Sequence, residues 1–149
     1  MLNDLVVHHD QLERAVASLE RALQLAQAPK TVEQACRGLI ALLEAHLQEE
    51  VALLAKCQCQ LQSLLRRRVP FDQADPLAIL QDLNALSSAG CQVPAALRLV
   101  QLRHLLHEMR EFLDDEEQAV FPVVRQAEAH DRALDECGCL FGEHEAGPA

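Results

Sequence analysis

Hydrophobic residues recur along this chain every three or four positions, the spacing of one face of an α-helix. The first repeat runs through Leu5, Leu12, Val16 and Leu23, and Pro29 follows it. Thr31-Val-Glu-Gln34 then has the form of a capping box and predicts a helix start. The second repeat carries Ala35, Leu39, Leu42, Leu53, Cys57 and Leu64, reaches Arg66-Arg67-Arg68, and stops at Val69-Pro70. Three arginines at that place suit the negative end of a helix, a reading preferred to a binding patch. Asp75-Pro76 reads as the N-cap and first turn of a short helix that Ser87-Ser88-Ala89-Gly90 ends. Its stripe is Leu77, Leu80 and Leu83 with Ala78 and Ala85, which would serve equally as a core seam or a dimer seam. Pro94 opens the last repeat, through Leu99, Leu102, Leu106, Met109, Leu113, Val120 and Val124.

The pattern predicts four helices, over roughly 2–28, 31–68, 76–89 and 94–126. Short connections between long amphipathic helices favour an antiparallel up-down four-helix bundle. No linker divides residues 1–126. Residues 127–149 read as a short C-terminal helical extension, and Gly138, Gly142 and Gly147-Pro148 mark a fraying, Cys-containing tail.

Composition agrees with this and removes alternatives. Leu and Ala, strong helix formers, are the commonest residues, while aromatics are 3% with no Trp and no Tyr. An all-β fold is thereby nearly excluded. At 149 residues and 50% hydrophobic, one domain can build a core without staples. The net charge of −10 argues against nucleic-acid phosphates as partners. No apolar run reaches the ~20 residues of a membrane span. The opening MLNDLVVHHDQ lacks the basic-then-apolar order of a signal peptide, so a soluble, cytoplasmic protein is expected. There is no activated nucleophile and no phosphate-binding Gly loop, so no enzymatic turnover is assigned.

The chemistry lies where charge falls on apolar faces. At about 100° per residue, His46 sits at the centre of the second stripe and Glu50 about 40° from it. On the first helix His9 lies about 40° to one side of the stripe and His8 about 60° to the other. On the fourth, Glu117 falls about 40° from Leu113, inside the stripe, with Glu116 flanking it. His107 lies about 120° away and His104 nearly opposite, so His104-Leu-Leu-His107 reads as a solvated face. A buried charge is costly unless paired or bound to metal. Carboxylates and imidazoles projecting into a bundle core are the material of non-haem metal sites. A His46–Glu50 hydrogen bond, with Glu117 reaching solvent or an arginine, explains the same pattern without metal.

The segments His9-Asp-Gln-Leu12, His46-Leu-Gln-Glu49-Glu50 and Glu116-Glu117-Gln-Ala-Val-Phe121-Pro122 resemble the hemerythrin-like family of HHE cation-binding domains. The resemblance spans about residues 2–126. It implies a four-helix bundle holding non-haem iron, mono- or di-nuclear, or another divalent ion such as zinc. It further implies a role in binding or sensing O₂, in redox or metal sensing, or in iron storage. By position His9, His46, Glu50 and Glu117 match the family's ligands. The family's fourth-helix His position holds Leu113, and residues 76–89 contain none of the third-helix histidines, leaving His8 and His107 as substitutes.

Six cysteines in such a chain read as thiols rather than bridges. Cys57, Cys137 and Cys139 with His144 offer a different reading, a thiolate site for zinc or copper or a redox sensor. A third reading is a metal-free interaction or regulatory module, whose acidic surface docks a basic protein partner or whose third helix forms a homodimer.

Overall fold

The computed structural model describes residues 2–56, 75–88 and 91–141. It is all-helical, and among the described residues there is no strand. The helices are α1 (Leu2–Gln24), α2 (Pro29–Lys56), α3 (Pro76–Ser87) and α4 (Ala95–Asp115). One π-helical turn, Glu116–Val120, continues α4 without a break into α5 (Phe121–Phe141).

Local chemistry sets the ends. α1 closes with Gln27 N–H on the Ala22 carbonyl and Ala26 N–H on the Leu23 carbonyl, at 3.1 and 3.3 Å. That pair is a Schellman closure, which needs a left-handed residue between, and Ala26 takes it with φ 47°. α2 starts at Pro29 rather than Thr31: proline at the first helical position has φ preset and no N–H to lose. The capping-box expectation at Thr31 is therefore corrected, since its N–H already bonds the Ala28 carbonyl. Asp75 caps α3 as expected, its Oδ1 accepting from Leu77 N–H at 3.0 Å. The part of the second predicted helix beyond Lys56, with Arg66, Arg67 and Arg68, lies outside the described residues.

α1 packs on α2, α2 on α3, α3 on α4, and α4 back on α1, while α5 touches α1. Between them lies a large apolar cluster that includes Leu12, Leu19, Leu39, Leu43, Leu106 and Met109, all fully buried. Each such side chain stabilises the fold by about 1.5–3 kcal/mol relative to exposure. On α3 the buried face is Ile79, Leu83 and Leu86, whereas Leu77 is exposed, which turns the expected stripe. A second, smaller apolar cluster joins Leu2, Leu5, Leu53, Phe121, Val123 and Val124.

The two clusters bracket a polar layer. On α1, His9 lies between Leu5 and Leu12; on α2, His46 and Glu50 lie between Leu43 and Leu53. Along α4 and the π turn, Glu116 lies between Leu113 and Phe121. His9, His46 and Glu116 are the buried polar side chains among the described residues.

Candidate metal centre

Three helical segments bring the polar layer together. His46 is fully enclosed, and its Nε2 hydrogen-bonds Glu116 Oε2 at 2.9 Å. The same Nε2 stands 3.6 Å from Glu50 Oε1, one turn along α2. Ligand atoms of His46, Glu50 and Glu116 all lie within 4.8 Å of one another. A second group forms beside it on α1: His9, Glu13 and Glu117, within the same 4.8 Å limit. His9 Nδ1 meets Glu117 Oε1 at 3.1 Å. The groups touch through Glu116, whose Oε2 is 3.6 Å from His9 Nε2.

Glu116, only 2% exposed, reverses the expectation for the fourth helix. The periodicity puts Glu117 inside the stripe and Glu116 beside it, but the side chain of Glu117 is 48% exposed. Two buried residues outside the expected stripe, Leu105 and Phe112, swing the true face about 40° from Leu113 toward Glu116. Leu99, assigned to the stripe, is exposed. Val120 and Val124 lay on the expected stripe only for an unbroken α-helix. The π turn, with Phe121 N–H bonding the Glu116 carbonyl, resets the phase beyond it. Glu117 nonetheless reaches His9.

The other expected residues divide cleanly. His8 is half-buried with its ring centroid 6.4 Å from that of His46, so it borders the layer. His107 is exposed and faces Glu111 at 3.2 Å, and His104 faces Glu108 at 3.3 Å. Both belong to a solvated face, and His107 is no substitute ligand. Cys57 and His144 lie outside the described residues, as do the side chains of Cys137 and Cys139. Cys36 and Cys91 are free thiols. Two participants went unassigned in the sequence. Glu116 was hidden by the phase of the stripe. Glu13 had a signal, because His9 and Glu13 repeat the His46–Glu50 spacing of four.

Burial and proximity shape the protonation. Burial pushes His46 down, but hydrogen bonds to Glu116 and Glu50 outweigh it and carry the imidazole up to about 9. Burial pushes Glu116 up, and the nearby Glu50 carboxylate holds it there, at about 8, against the pull of His46. Burial also pushes Glu50 up, yet hydrogen bonds from His46 and Glu116 hold its carboxyl below the ordinary range. His9 is lowered, chiefly by burial, with His46 adding to it and Glu117 opposing. At neutral pH, protons on His46 and Glu116 thus neutralise the metal-free layer.

A cation would do the same. Donors about 2.1 Å from one ion stand roughly 3.0 Å apart across an octahedral edge and 3.4 Å across a tetrahedral one. The 2.9 Å and 3.6 Å separations about His46 Nε2 are close to these values. The donors are imidazole and carboxylate, which suit iron, zinc or manganese rather than soft copper. His9 Nε2, buried and without a hydrogen-bond partner among the described residues, is a further open donor. The residues present therefore fit a divalent cation.

Comparison of the chain with protein-family models, with curated proteins and with solved structures gave no match.

Proposed function

We propose that this chain is a metal-binding protein that holds a divalent ion, foremost non-haem iron, in its polar layer. The observation that carries the reading is the convergence of ligand atoms of buried His46, buried Glu116 and half-buried Glu50, within 4.8 Å of one another, between two apolar clusters. His46, Glu50 and Glu116 would hold the ion. His9, Glu13 and Glu117 would form a flanking position that shares Glu116. A hemerythrin-like, antiparallel up-down bundle is the architecture we assign to it. Support comes from the ring of helix contacts and from His9, His46, Glu50 and Glu117, the residues that carried the likeness. The ion would supply redox or Lewis-acid chemistry, and the protein's own residues would position it and exclude bulk water. We assign the role to oxygen, redox or metal sensing, or to storage, rather than to turnover.

The test is elemental analysis of protein purified without chelator and then reconstituted with Fe²⁺ under anaerobic conditions, or with Zn²⁺. About one tightly held ion per chain is expected, and His46→Ala with Glu50→Ala should abolish it. Well under one ion per chain in both reconstitutions would refute the reading.

A further inference from the structure

We propose that the opposite end of the helices holds a binding site for an unbranched carboxylic acid of roughly eight to twelve carbons, its carboxylate met by Arg98. A cavity of about 400 Å³ opens there. Its apolar walls include Ala22, Leu23, Val32, Leu86, Leu99 and Leu102. At roughly 30 Å³ for each carbon-sized group, that space takes one such chain and not a two-chain lipid.

The polar groups of the wall select the head. Arg98 lines the cavity, and one terminal nitrogen donates to the carbonyls of Cys91 and Val93 at 3.2 and 3.4 Å. Those bonds fix the guanidinium. Its Nε is enclosed and has no acceptor among the described residues, and no carboxylate among them pairs with the guanidinium, whose charge a carboxylate in the cavity would offset. Glu33 also lines the wall, but Arg37 engages it at 2.6 Å, so the pair adds little net charge. Cys36 contributes a neutral thiol, since burial and then Glu33 push it up to about 11. Helix ends do not decide the sign: α2 and α4 begin at the cavity while α1 and α3 finish there, so their dipoles oppose. The unmatched cation is Arg98.

The site is separate from the polar layer. Leu23 lies 14 residues beyond His9 on α1, about 21 Å along the helix. The two assignments can therefore fail independently.

Isothermal titration of the full chain with decanoate, below its aggregation concentration, tests the proposal. One saturable site per chain is expected. Octanoate should bind about fifteenfold more weakly, for two fewer buried methylenes. Neutral 1-decanol should bind at least tenfold more weakly than decanoate. Arg98→Leu should erase that preference and Arg98→Lys should keep part of it. Ala22→Leu, which fills the cavity from a buried position, should weaken decanoate at least tenfold with the helical melt retained. His46→Ala should leave decanoate binding unchanged. Absence of saturable binding overturns the proposal. So does equal binding of acid and alcohol by the wild type, or binding insensitive to both Arg98→Leu and Ala22→Leu.

Discussion

Replacing Glu116 by Gln removes one ionisable group from the polar layer while keeping its shape. In the metal-free protein Glu116 stands at about 8, raised from 4.5 by burial first and by Glu50 second. Between those values the folded carboxyl holds a proton that the unfolded one has lost. Unfolding then releases a proton, so rising pH favours unfolding. The stability linked to Glu116 is complete below its ordinary 4.5 and is lost as pH rises through about 8. His46, raised from 6.5 to about 9, acts in the same direction at higher pH. Glu50 is lowered, so its contribution is present above its ordinary value and is lost only on acidification.

One proton difference is about 1.4 kcal/mol per pH unit, or about 4 °C in melting temperature for a chain of this size. Gln mimics the neutral acid, so near pH 5 the variant should melt within a few degrees of the wild type. Between about pH 6.5 and 8, above the range in which the lowered His9 acts the other way, the wild-type melting temperature should fall, and the slope in Glu116→Gln should be shallower by about one proton. Near pH 8.5 the variant should be the more stable protein. Helical circular dichroism during heating, with chelator present, measures all of this. A wild-type melting temperature that rises through the window, or equal slopes in the two proteins, would refute the reasoning.

Zn²⁺ titrated into the metal-free protein near pH 7 should release about two protons, from His46 and Glu116, as measured by calorimetry in buffers of different ionisation enthalpy. Affinity should accordingly rise with pH, and release of no proton would contradict the assigned protonation. Ala26→Gly should raise stability by roughly 0.5–1 kcal/mol in chelated protein. Ala26 holds φ 47°, where glycine has no Cβ penalty, and a lower melting temperature would count against that account.

The periodicity of leucines was enough to read the helices, because burial of one face is what forms them. Asp75-Pro76 and the stop before Gly90 were legible for the same local reasons. The inward direction of His46 and Glu50 also followed, since α2 is unbroken from Pro29 to Lys56 and its phase carries through. The fourth helix was not legible to one residue. Its face depends on Leu105 and Phe112 winning burial over Leu99, and that choice is made by neighbouring helices, not by the segment itself. The π turn has a local cause as well: Pro122 has no N–H for the Gln118 carbonyl and its ring crowds that carbonyl, so the helix loosens just before it, and there Phe121 lies with its ring centroid 5.1 Å from that of His9. Arg98 and its cavity had no signal either, because walls drawn from four helices appear only once those helices are packed.

The polar layer interrupts what would otherwise be one continuous apolar core, and folding alone does not require it. Removing a partner from a buried ion pair leaves an uncompensated charge, whereas replacing the whole pair with apolar groups of similar volume is often neutral or stabilising by about 1–4 kcal/mol. Glu116→Leu alone should therefore destabilise the metal-free protein, because His46 keeps its enclosure and loses its 2.9 Å partner. His46→Leu, Glu50→Leu and Glu116→Leu together, which also remove the Glu50 carboxylate that balances protonated His46, should recover that loss and match or exceed the wild type in chelator, by joining Leu43 and Leu113 to the cluster around Leu53 and Phe121. The triple variant should also lose its bound ion. Folding stability and metal retention would then be opposed at the same three positions, as expected of side chains kept for binding. If the triple variant melts well below the wild type under chelator, the layer serves the fold itself, and its burial ceases to be an argument for metal.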